Sequence, residues 1–214
     1  MFPRMNQNQP GKFALSIALS AGIVIAIVAL AFGQRVSARD TLAGTVSSTA
    51  STNPFDYCPA DCQRQIVLAR NATASYHEES NALADGFFST VQCVAVPGVG
   101  AMGVHYINPG RMDLNNDVTQ PEVLLYSRQS DGSMRLIGLE YVAPVISNGG
   151  LWFNPNTPPP AIDNPAPSLF SRAFDGPMPG HEPGDPWHYD LHVWLWRDNP
   201  LGLFFPFNPK VSCQ

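Results

Sequence analysis

The chain has 214 residues with 17 acidic and 12 basic side chains, a formal net charge of −5. Arg4, Lys12 and Arg35 all precede residue 39, and beyond that point Lys210 is the only lysine. Such a balance excludes nucleic acid and anionic membrane surfaces as partners of the folded part, because both reward clustered Lys and Arg.

Residues 1–38 read as a targeting device. Arg4 and Lys12 precede an apolar run from Phe13 to Gly33, and Val36-Ser37-Ala38 fits a small-residue cleavage site. The run is also long enough to span a bilayer with its basic flank inside. The segment is therefore either a cleaved signal peptide or an uncleaved N-terminal membrane anchor. Both readings place the rest of the chain outside the cytoplasm, secreted or in the cell envelope, with the membrane touched only through this N-terminal segment. Residues 39–57 are small, Ser/Thr-rich and aperiodic, as in a flexible spacer. The stretch 58–214 is long enough for a single domain with a core of its own.

Four cysteines in an exported chain point to disulfides. Of the three pairings, Cys58–Cys62 is favoured because a four-residue separation at a helix start brings Cα atoms to roughly 6 Å. That leaves Cys93 with Cys213.

Ile66, Ala69, Thr73, Tyr76, Ser80 and Leu83 recur at steps of three and four, which predicts one long helix from about Asp61 to Asp85, stopped by Gly86. The period then switches to two. Segments 90–96, 101–107, 122–128, 134–143 and 187–196 are rich in β-branched and aromatic residues and are bounded by turn formers. Gln129-Ser-Asp-Gly132 predicts a hairpin between the third and fourth. The expected fold is α+β: a long N-terminal helix packed on a curved, mainly antiparallel sheet of about five strands. Residues 144–186 hold ten prolines between Pro155 and Pro186 and show no periodicity, so they form a long Pro-rich loop, or an arm covering a sheet edge, before the last strand.

Gly98, Gly100 and Gly103 have the G-x-G-x-x-G spacing of a dinucleotide cradle, but Val104-His-Tyr-Ile107 continues as a strand where that fold needs a helix. The glycines instead mark a bulge, a sharp bend, or close approach by another backbone or ring, with the helix or a tryptophan of the last strand as candidates to fill the space. Asp113-Leu-Asn-Asn-Asp117 begins like an EF-hand loop, yet Val118 and Leu124 stand where that loop needs Gly and Glu. It reads as an Asx-rich turn. No G-x-S-x-G or H-E-x-x-H occurs.

In Trp187-His-Tyr-Asp-Leu-His-Val-Trp-Leu-Trp196, alternation puts His188, Asp190, His192, Trp194 and Trp196 on one face and Trp187, Tyr189, Leu191, Val193 and Leu195 in the core. His188 and His192 stand about 13 Å apart on a strand, too far to share one ion. A metal would need neighbouring strands, and His105 and Glu140 are the candidates. The predicted site is His105, Glu140 and His192, with Asp190 or His188 as a further ligand or orienter, holding a divalent transition metal such as zinc.

The wording Gly-Ala-Met-Gly-Val-His-Tyr (Gly100–Tyr106), Leu136 to Tyr141 as L-x-x-x-E-Y, and the closing Leu191-His-Val-Trp-Leu-Trp through Cys213 resemble a family of exported bacterial proteins that carries no known activity. The resemblance implies that His105, Glu140 and His192 are motif positions and that the location is extracytoplasmic. Two functional readings follow. One is an exported binding or structural domain, of unknown specificity and protein partner, that presents a polar His/Glu/Asp cluster on its sheet. The other is a metal-dependent extracytoplasmic enzyme acting on a small molecule, with Glu140 as ligand or general base. A third, an apolar ligand cone lined by Trp194 and Trp196, would show no convergent polar groups.

Overall fold

The computed structural model describes residues 53–181 and 184–213. The targeting segment 1–38 and the spacer up to residue 52 lie outside the described residues. Among those described, no helix is long and apolar enough to cross a membrane.

The single long helix expected over 61–85 is instead two helices, α1 (Ala60–Thr73) and α2 (Glu79–Ala84), joined by a 3-10 turn at Ala74–His77. Side chains capture the carbonyls that a continuous helix would use. Tyr126 donates its hydroxyl to the Tyr76 carbonyl (2.5 Å), and Asn81 Nδ2 donates to that of Ser75 (2.9 Å). At the break the Glu78 N–H bonds three residues back to the Ser75 carbonyl, the tighter 3-10 pattern, while these side chains hold the turn from outside. The break also rotates the buried face: Ala82 is fully buried, whereas Leu83 is half exposed.

The strands are β1 (Phe88–Val96), β2 (Gly100–Ile107), β3 (Val123–Arg128), β4 (Met134–Pro144), β5 (Ile146–Ser147), β6 (Gly150–Leu151), β7 (Ser168–Leu169), β8 (Arg172–Ala173), β9 (Asp175–Met178) and β10 (His188–Val193). A curled antiparallel sheet runs in the order β1-β2-β3-β4-β10-β9, six strands where about five were expected. The sixth comes from the Pro-rich arm, whose β9 pairs along the edge of β10 and so removes an open edge. The same arm forms the small hairpins β5–β6 and β7–β8. The Gln129–Gly132 turn joins β3 to β4 as its residues predict.

Alternation sorts the sheet into two faces. Val104, Tyr106, Leu124, Tyr126, Leu139, Tyr141, Tyr189 and Leu191 pack with Ala69, Tyr76 and Phe87 from the helical segment in the main core. Each fully buried leucine here is worth roughly 1.5–3 kcal/mol. Val123, Leu125, Ile137 and Trp194 form a second apolar cluster on the other face. His105, Glu140 and His192 belong to this second face by strand parity.

Both disulfides form as the spacing suggests, Cys58–Cys62 and Cys93–Cys213, with Cα separations of 5.1 and 5.4 Å. They suit an oxidising, extracytoplasmic compartment. The second ties β1 to the chain end. That end also explains the glycines of β2: Ala101 exchanges backbone hydrogen bonds with Asn208, and a Cβ on Gly100 would lie 2.4 Å from the Asn208 carbonyl. Gly103, with φ +100°, is pressed against the Tyr126 carbonyl in the same way. The approaching groups are thus backbone, not the helix or a tryptophan ring.

The last strand is shorter than its alternation suggests. It ends at Val193, because Trp194 N–H turns to the Leu203 carbonyl and Leu195 N–H folds back to Val193. Trp194 packs into the second cluster with its Nε1 donating to Phe205 O (2.6 Å), and the Trp196 ring lies against His77. Trp194 thus keeps to the face of the His188–His192 row although it has left the strand, whereas Trp196 turns to the main core and the helical segment.

Candidate metal centre

Three strands deliver three side chains to one point. His192 on β10 stands directly across from Glu140 on β4 in the antiparallel register. His105 on β2 is separated from Glu140 by β3, where Leu125 faces His105 and Val123 faces Glu140. Two flat-sheet spacings would hold those backbones about 10 Å apart. The curl of the sheet closes that gap for the side chains. His105 Nε2 lies 3.3 Å from Glu140 Oε2, and His192 Nε2 lies 3.8 Å from Glu140 Oε1. One donor atom from each of the three residues falls within 4.8 Å of the other two. In a tetrahedral zinc site with bonds near 2.0–2.1 Å, neighbouring ligand atoms are roughly 3.3 Å apart. The His105–Glu140 approach matches that spacing, and the His192 approach, to the other carboxylate oxygen, is about half an ångström wider.

The site is buried. Glu140 is 3% exposed and His192 is 0% exposed. Even so, Asp190 Oδ1 and both ring nitrogens of His192 have no hydrogen-bond partner, and His105 Nε2 and Glu140 Oε2 have only each other, at 3.3 Å and out of line for a good hydrogen bond. An unmade hydrogen bond at a buried polar atom costs about 1–3 kcal/mol. A cation among them satisfies donor set and geometry together, whereas apolar packing satisfies neither.

Protonation favours the same reading. Burial pushes the His192 imidazole down to about 4, so at neutral pH it is uncharged and presents a lone pair. Burial acts to raise the Glu140 carboxyl, whereas the charge that His192 carries when protonated, and then the contact with His105, act to lower it, and the lowering prevails. Asp190 is the opposite case: burial first, then the neighbouring Glu140 charge, raises it to about 8. One ionised carboxylate between two imidazoles is the charge state that a divalent ion requires.

The two remaining predicted ligands divide differently. Asp190 Oδ2 lies 3.9 Å from His192 Nδ1, behind the imidazole but beyond hydrogen-bond reach. His188 does not reach the three-residue set. It gathers instead with Asp190 and His181. His181 was not singled out by the sequence, because it sits in the aperiodic Pro-rich arm, where no strand or helix phase assigns a residue to a face.

A cavity of about 440 Å³ opens onto the centre. Its walls are largely apolar, with Phe88, Val94, Ile107, Met112, Val142 and Leu151 among them, and its titratable members are His105, Glu140, His181, Asp185 and His188; His192 stands outside the lining. Neither Trp194 nor Trp196 lines it. The Asp113–Asp117 loop borders a separate cavity of about 560 Å³. There Asp113 accepts from Asn115 N–H and Asp117 from Thr119, the Asx turns its sequence suggests.

Compared with protein-family models, curated proteins and solved structures, the chain matches none of them.

Proposed function

We propose that the chain is an exported, metal-dependent protein in which His105, Glu140 and His192 hold a divalent transition metal such as zinc at the end of an apolar cavity. The observation that carries the proposal is the convergence of three buried donor groups, with both His192 nitrogens, His105 Nε2 and Glu140 Oε2 lacking hydrogen-bond partners, where His105 and Glu140 line a cavity. Three protein ligands leave a coordination position open, the arrangement of a catalytic rather than a structural site. The apolar walls suit a small, largely apolar molecule, and a metal held by His105, Glu140 and His192 would supply Lewis acidity and water activation near neutral pH. Glu140 acts as a ligand, since its two oxygens face the two histidines. Asp190 stands behind His192.

The reading in which the same cluster is only a polar, structural feature of a binding domain has less support, because a structural cluster would satisfy its own buried atoms. The deciding experiment is elemental analysis of purified protein, paired with melting curves with and without chelator. The metal-centre reading expects near-stoichiometric metal and a lower melting temperature in chelator. Protein without metal, and unable to take up zinc after dialysis against it, would sink the idea.

A further inference from the structure

We infer that the chain holds a second divalent-cation site, formed by His181, His188 and Asp190, where the Pro-rich arm meets β10. One nitrogen or oxygen from each of these residues lies within 4.8 Å of the other two, and none of the three belongs to the His105–Glu140–His192 set. Asp190 is 2% exposed, and its Oδ1 is buried without a hydrogen-bond partner. Its other oxygen is the one that faces His192. The carboxylate therefore has one oxygen committed toward the first centre and one without any partner.

His188 is oriented for ligation. It is buried, and its Nδ1 lies 3.2 Å from the Pro186 carbonyl, the contact that leaves Nε2 with the lone pair when Nδ1 donates. The His181 ring stands edge-on to it at 5.1 Å between centroids. His181 is exposed, so an ion can enter from solvent, and both histidines line the same cavity as His105 and Glu140. Two imidazoles and one carboxylate form the donor set that borderline divalent ions such as zinc prefer. An ion held there also ties the arm that precedes β10 to the strand, at the polar end of the cavity.

The geometry of this second site stands whether or not the first centre holds an ion, and the experiment separates the two. Full-length protein stripped with chelator is titrated with zinc chloride by calorimetry, and bound metal is counted by elemental analysis after desalting. Wild type is expected to take up two equivalents. His181→Ala, an exposed change that leaves the fold intact, is expected to take up one, and His188→Gln likewise. Two equivalents in wild type that persist in both variants overturn the inference. So does a single equivalent that both variants keep but His105→Ala loses, a result that leaves the first centre standing. A single equivalent lost in His181→Ala and kept in His105→Ala supports the second site and removes the first. No uptake in wild type removes both.

Discussion

His192 faces Glu140 directly across the β4–β10 ladder, and the closest atoms of the pair, Nε2 and Oε1, stop 3.8 Å apart, beyond hydrogen-bond reach. Two buried polar groups placed in register and left unbonded are costly to the fold unless something sits between them. Glu140→Gln separates the two accounts of that gap. Removing the partner that orients a ligand already weakens metal affinity 10–100-fold, so loss of a direct ligand should weaken zinc binding by more than about 100-fold. In chelator-treated protein the same change removes a carboxylate that the folded state holds below its usual range, so the melting temperature should fall. Melting curves with and without zinc check both halves: wild type gains stability from zinc, and the variant does not.

Acidity of the metal-free protein should track Asp190 and Glu122. Burial raises both to about 8; for Glu122 this happens although it accepts hydrogen bonds from Val142 N–H and Asn116. A carboxyl raised in the folded state keeps a proton that the unfolded chain has lost, so stability is full below the unfolded value and falls as pH rises through about 8. His192 has the opposite sense, but its window lies between its folded value of about 4 and its unfolded value, below pH 6.5. Between pH 6.5 and 8 the carboxyls act alone. Each should remove about 1 kcal/mol of stability per pH unit. Denaturant unfolding in chelator at the two pH values measures the slope, and Glu122→Gln should roughly halve it. A flat profile would mean that neither group is protonated in the folded state.

The two disulfides should differ in weight. Cys93–Cys213 closes a separation of 120 residues and Cys58–Cys62 one of 4. Loop-closure entropy gives about 5 kcal/mol for the first and about 2 kcal/mol for the second. Paired Cys→Ser variants, compared by urea unfolding, should rank in that order. The first should also loosen the Asn208 segment, because that stretch is held against β2 by the Ala101 hydrogen bonds and leads directly to Cys213.

What could be read from the sequence was set by strand phase. Period two placed Tyr189, Leu191 and Val193 in the core and His188, Asp190 and His192 on the other face, and the same parity brought His105 and Glu140 into consideration. Strand order is not encoded in phase. The strand rise already set His188 too far from His192 to share an ion, but its pairing with His181 from an aperiodic arm required the structure. The helix break was hidden for a similar reason: the Tyr126 hydroxyl that captures the Tyr76 carbonyl comes from a strand 50 residues on. Trp194 continues the alternation in sequence but leaves the strand because a distant carbonyl, that of Leu203, takes its N–H.

The glycine motif gives a last contrast. Gly98 and Gly100 share the nucleotide-loop spacing and both have positive φ, +78° and +136°. A Cβ on Gly98 would meet nothing within 4 Å, so Gly98→Ala carries only the conformational penalty of about 1–2 kcal/mol. A Cβ on Gly100 would meet the Asn208 backbone at 2.4 Å, and a carbonyl cannot move aside as a flexible side chain does. Gly100→Ala should therefore cost clearly more, about 3 kcal/mol or above, and should expose the 205–213 segment to protease while Gly98→Ala does not. If the two variants unfolded at the same denaturant concentration, the close approach of the chain end to β2 would have to be abandoned, and with it the reason for glycine five residues before His105.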